Sequence, residues 1–134
     1  MPGIILTVSG QSDHKFSETL AEKISALTCR ILQKDIEQTT ALIRYHPHED
    51  WFIGGRALSV LGKNAFKLEV TITDETNTKA EKAVFHREAF ALLSEIIGNL
   101  HPHSNIHIID CRASAYGYGG ETQEHRFFQS ALKK

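Results

Sequence analysis

Proline holds the second position of the chain, directly ahead of a β-branched and apolar run, G-I-I-L-T-V-S at residues 3–9. Once an initiator methionine is removed, such a proline carries a secondary amine. A free amine is protonated at neutral pH, but an apolar pocket disfavours the ammonium form and lowers its pKa. The result is a base that can take a proton from an enol and, as the ammonium, return one to carbon. The pyrrolidine ring fixes φ and so holds the nitrogen in one geometry. Proline is not rare at position 2, so the chemistry rests on what converges around it.

A proton-transfer site on a small acid also needs a cation. In the stretch 39–46 side chains alternate, so Thr40, Leu42, Arg44 and His46 share one face. Arg44 there can polarise a carbonyl or hold a carboxylate, or serve only in a salt bridge at a surface or between subunits. Arg112 follows the last long strand and either reaches a neighbouring subunit or ends that strand in solvent. Trp51, the only tryptophan, suits a wall that dehydrates a site and stacks on a conjugated substrate, or equally the packing of an interface. Ile4 and Phe52 are further apolar neighbours for Pro2.

Other chemistry is weaker. H-P-H occurs at 46–48 and again at 101–103. The first follows a strand and the second precedes one, and no Cys or acidic partner stands at zinc-ligand spacing, so no metal site and no cofactor are expected. His107 reads as a packed strand histidine. Cys29, inside a helical pattern, and Cys111 read as small buried thiols of a reduced, cytoplasmic chain.

The elements that would position these residues repeat. After the first strand, Phe16, Leu20, Ile24, Leu27 and Ile31 trace one face of a helix with Ser12 as its cap. A strand over 39–46 stops at Pro47, and W-F-I-G-G at 51–55 forms a turn or short hairpin. In 66–73, Phe66, Leu68, Val70 and Ile72 alternate with polar residues as in a half-buried strand. T-K-A-E at 78–81 is a capping box opening a helix striped by Phe90, Leu93 and Ile97 and ended by Gly98. A strand over 105–111 and the turn Y-G-Y-G-G at 116–120 complete the plan. The Gly-Gly pairs at 54–55 and 119–120 lie 65 residues apart.

The fold expected is α+β: two tandem βαβ units, about 2–62 and 63–125, with a tail over about 126–134. They build one four-stranded mixed sheet with two helices on one face, in a single domain over 1–134. Apolar residues on both faces of the first two strands call for a partner subunit over the open face.

Composition excludes several classes. Hydrophobic residues make up 41% and charged residues 23% of 134, with a net charge of −1, which gives no basic patch for nucleic acid. No apolar run is long enough to span a membrane. The first residues lack the charged and long apolar regions of a secretory signal. The acidic stretch 74–76 and Lys133–Lys134 read as solvated surface.

Pro2 before the first strand, the strand ending S-G-Q-S (9–12), and W-F-I-G-G after the second strand together resemble the tautomerase superfamily. That family includes 4-oxalocrotonate tautomerase, macrophage migration inhibitory factor and cis-3-chloroacrylic acid dehalogenase. The likeness spans nearly the whole chain as two βαβ units. It implies a homotrimer, active sites near subunit boundaries, a catalytic Pro2 and a small enol or 2-keto acid substrate. Lys34 falls close to the lysine of the migration inhibitory factor branch, and Trp51 takes the aromatic wall position. Gln11 and Thr40 stand where arginines bind a dicarboxylate in the family. T-D-E-T (73–76) replaces the basic residues of the dehalogenases, so dehalogenation is not expected. The same resemblance leaves a hydratase or decarboxylase using protonated Pro2, with Tyr116 to orient water, or a non-catalytic trimer, as alternatives.

Overall fold

The structure, a computed structural model, describes residues 2–132. Removal of Met1 and the solvated character of Lys133–Lys134 concern residues outside those described.

Strand β1 (Gly3–Ser9) leads into helix α1 (His14–Leu32), which returns the chain to β2 (Thr40–His46), parallel to β1. A two-stranded hairpin, β3 (Phe52–Ile53) and β4 (Arg56–Ala57), and a single turn of helix, α2 (Leu58–Leu61), close the first unit. The second unit repeats it. Strand β5 (Phe66–Thr73) feeds α3 (Lys79–Ile97) and then β6 (Asn105–Cys111), parallel to β5. The hairpin β7 (Gly117–Tyr118) and β8 (Glu121–Thr122) leads into α4 (Gln123–Leu132). The four long strands form one sheet in the order β2-β1-β5-β6, with β1 and β5 antiparallel at its centre. This is the α+β plan expected.

The 65-residue repeat holds at the level of single hydrogen bonds. Leu58 N–H donates to the Trp51 carbonyl at 2.9 Å, and 65 positions on, Gln123 N–H donates to the Tyr116 carbonyl at 2.7 Å. Gly54, Gly55, Gly119 and Gly120 all have φ between 61° and 83°, a region only glycine enters freely, which is why each hairpin carries a Gly-Gly pair.

One sheet face is dry. Ile4, Leu6 and Val8 of β1 and Phe66, Leu68, Val70 and Ile72 of β5 are buried under α1 and α3. Helix α1 contributes Leu20, Ile24 and Leu27, as its periodicity predicts; Phe16 and Ile31 pack at the margin. Its cap is Asp13 rather than Ser12: the Asp13 carboxylate accepts from Phe16 N–H at 3.2 Å, three residues on, the reach that a capping side chain needs. Helix α3 presents Phe85, Ala89 and Leu93 to the core, with Phe90 and Ile97 beside that line. Its capping box forms as expected, Thr78 N–H donating to Glu81 at 2.7 Å and Glu81 N–H to Thr78 Oγ1 at 3.1 Å. Both cysteines are only partly buried and unpaired, a correction to the buried thiols expected. Cys29 Sγ lies 3.1 Å from Thr39 Oγ1.

The opposite sheet face is open and mixed rather than apolar. Ile5, Leu42 and Ile109 stand on it among Thr7, Arg44, Lys67, Glu69 and His107. Leu42 is 55% and Ile109 43% exposed.

Candidate functional site at the Pro2 end of the sheet

Pro2 is buried at the start of β1. Its carbonyl accepts from Thr40 N–H at 3.2 Å. Gly3 faces Thr40 on β2 and Thr71 on β5, so one step outward the register sets Pro2 between Thr39 and Ile72. Four chain segments therefore meet here: the starts of β1 and β2 and the ends of β5 and β6.

The second hairpin covers this end. The Tyr116 hydroxyl lies 3.3 Å from the point where a Cβ on Gly3 would sit and donates to the Thr71 carbonyl at a long 3.4 Å. Burial, with a smaller push from Cys111, raises the Tyr116 pKa above that of an ordinary tyrosine, so the phenol stays protonated across the physiological range. The hairpin is tied down by Gln123 N–H on the Tyr116 carbonyl and by Glu124 N–H on the Ala113 carbonyl at 3.0 Å. These bonds set α4 over the edge of the site.

A cleft of about 670 Å³ opens at this end of the sheet, between the chain preceding β2, the β5–α3 loop and α4, without Pro2 in its lining. That volume falls within the range of small-ligand sites. Lys34 and Gln38 line one side, Thr73 to Thr76 the floor, and Arg126 and Phe127 of α4 the other side. Lys34 Nζ donates to Thr76 Oγ1 at 2.8 Å. Partial burial lowers the Lys34 pKa, while Glu81 and Asp110 pull it back up. Asp110 is itself paired with Lys82 at 2.7 Å. Arg112 is exposed next to this cleft, in a shallow polar hollow with Asp74, Glu75 and Glu124.

Arg44 and Trp51 are elsewhere in the same chain. Arg44 is exposed on the open face opposite Thr7, four residues along β2 from Thr40, or about 13 Å at the rise of a strand. Trp51 stands edge-on to His46, ring centroids 6.1 Å apart, at the far end of β2. There it lines a smaller hollow of about 240 Å³ with Phe52, His46 and Lys67. Ile4 points into the helix-covered core. Within one chain, then, Lys34 and Arg112 gather at the Pro2 end, and Arg44, Trp51 and Phe52 do not.

The histidine motifs are used locally. His48 Nε2 shares a 2.8 Å hydrogen bond with Asn64 Oδ1, His46 Nε2 lies 3.0 Å from the Asp50 carbonyl, and His103 N–H donates to His101 Nδ1 at 3.1 Å. His107 is exposed on the open face rather than packed. Among the described residues no group of three or more His, Cys, Asp or Glu side chains is placed to hold a metal ion, and no helix is long and apolar enough to cross a membrane.

Sequence reasoning missed Arg126 and Phe127. The signal was in the repeat: 65 positions after α2, a second helix is due, and Arg126 sits on it.

No family model matches the chain, and no curated protein matches its sequence. Solved structures do match its fold. A fused 4-OT, a wild-type asymmetric trimer, superposes with a TM-score of 0.79 at 14% identity, covering 92% of this chain and 98% of the other. Pt0534, inactivated by 2-oxo-3-pentynoate, gives 0.80 at 11% identity over 92% and 98%. The macrophage migration inhibitory factor-like protein EhMIF from Entamoeba histolytica gives 0.69 at 13% identity over 90% and 97%. At this level of identity the likeness establishes the fold, and it is the fold that the tandem βαβ plan led us to expect.

Proposed function

We propose that the chain is a member of the tautomerase superfamily and interconverts the enol and keto forms of a small 2-keto acid, with Pro2 as the proton carrier. The observation that carries this reading is the burial of Pro2 at the one sheet end where a cleft, a lysine and a protonated tyrosine also meet.

The chemistry follows from the amine. With Met1 removed, Pro2 nitrogen carries a lone pair, and burial keeps a useful share of it unprotonated. The amine accepts the enol hydroxyl proton as the C=O bond forms. The resulting ammonium then gives a proton to the neighbouring carbon, and the amine is regenerated with no other reagent consumed. Lys34, at the cleft wall, stabilises negative charge on the oxygen during the transfer. Arg112 and, from a neighbouring subunit, Trp51 and Arg44 complete the substrate surroundings in this reading.

The working unit is proposed to be a homotrimer acting in the cytoplasm. Leu42, Ile109 and Ile5 on the open sheet face support an oligomer, since exposed apolar side chains on a sheet face mark an association surface. The two unpaired cysteines suit a reducing compartment.

The test is ketonisation of a panel of small enols by the wild type and by Pro2→Ala. A loss of about 10²-fold or more in kcat/KM is the result expected when the fixed secondary amine is replaced by a mobile primary amine of ordinary pKa. A wild type with no rate above background on any enol would leave the hydratase or decarboxylase and the binding-protein readings.

A further inference from the structure

We propose that Arg126, carried by α4, is the residue that captures the substrate carboxylate, acting across the cleft from Lys34. This rests on the proposed proton-transfer role of Pro2 for its biological meaning, but the binding itself does not.

Three observations converge on Arg126. Its guanidinium carbon lies 3.8 Å from the centroid of the Tyr118 ring, and Nη2 donates to the Tyr118 carbonyl at 2.9 Å. Stacking and hydrogen bond together hold the guanidinium plane, so little entropy remains to be lost when an anion binds. Its Nε is enclosed and, among the described residues, is the only buried side-chain nitrogen or oxygen without a hydrogen-bond partner. An unanswered buried N–H is costly, and an anion held in the cleft that Arg126 lines would offset that cost through the guanidinium charge. Glu121 Oε2 stands 3.9 Å from Arg126 Nη2, a loose ion pair beyond hydrogen-bond range.

The rest of the cleft states what kind of acid fits. Asp74 and Glu75 line it with Lys34 and Arg126, two anions against two cations. One carboxylate is accommodated by that balance; a second would meet Asp74 or Glu75. Phe127, 70% exposed and next to Arg126 in the same cleft, offers an apolar surface for the body of the ligand. The ligand class is a monocarboxylate with an apolar or aromatic body. Arg126 thus supplies the charge that Gln11 and Thr40 do not.

The experiment measures both turnover and binding. For the enol of an aryl 2-keto acid, Arg126→Gln raises KM about tenfold or more with kcat changed much less, while Arg126→Lys retains part of the affinity. For the methyl ester of the same acid, Arg126→Gln has no effect, a contrast that mere loosening of α4 would not give. Calorimetry with 3-phenylpropionate reads the cleft independently of catalysis. Weakened binding in Arg126→Gln and in Lys34→Gln, with binding retained in Pro2→Ala, supports the inference even if Pro2 proves inert. Unchanged 3-phenylpropionate affinity in Arg126→Gln overturns it and leaves the role of Pro2 untouched. Should Arg126→Gln fail to fold, Lys34→Gln on the opposite wall carries the test, and unchanged affinity there overturns the paired-cation cleft.

Discussion

The Tyr116 hydroxyl approaches Gly3 so closely that a Cβ on Gly3 would lie 3.3 Å from it. The residue adjoining Pro2 is thus small because the second hairpin presses on it. Gly3→Ala is expected to push the phenol outward by a few tenths of an ångström, at a cost of about 1 kcal/mol. A several-fold fall in kcat should accompany it, because the displacement is next to Pro2. Adding Tyr116→Phe to Gly3→Ala should recover stability, so the two substitutions will be non-additive. Urea unfolding of the four variants measures this directly; additive costs would refute the contact.

The capping box of α3 gives a pH signature. Hydrogen bonds from Thr78, backbone first, hold the Glu81 carboxylate below the ordinary glutamate pKa. The folded pKa is the lower one, so the carboxylate's contribution is fully present above about pH 4.3, the unfolded value, and is lost as pH falls through the folded value. The stability difference between wild type and Glu81→Gln should be constant near neutrality and shrink as pH drops below about 4.3. Thermal melts across that interval check it; a difference that grows toward acid pH would reverse the sign.

Leu42 tests the open face. It is more than half exposed on the side of the sheet that no helix covers. A charge at its centre should cost an association surface far more than it costs the monomer. Leu42→Lys is expected to shift the protein from the proposed trimer to monomer in analytical ultracentrifugation, with secondary structure retained. An oligomer unchanged by this substitution would place any subunit contacts elsewhere.

The core and the repeat were legible in the sequence because they rest on short-range rules. The period-2 pattern of β5, the Thr78–Glu81 box and the paired glycines all act within a few residues. What was not legible is which residues share an end of the sheet. Because β1 and β2 are parallel, the segment before β2 arrives beside Pro2 and the segment after it departs at the far end. That single fact brings Lys34 to the site and carries Trp51 away from it, though both flank the same strand. Helix α4 was hidden for another reason. None of its residues is buried within the chain, so Phe127, Phe128 and Leu132 leave no core-facing periodicity to read. Arg126, a second cation in the lining of the cleft, was hidden with it.

The central claim is that the Pro2 amine carries the proton. The most direct measurement compares two forms of the same chain that differ only in whether Met1 has been removed, as verified by intact mass. Blocking the nitrogen in an amide bond leaves the Pro2 side chain in place and removes its basicity. The form beginning at Pro2 should ketonise a small enol acid, and the form retaining Met1 should show only the background rate. Equal rates in the two forms would contradict the claim.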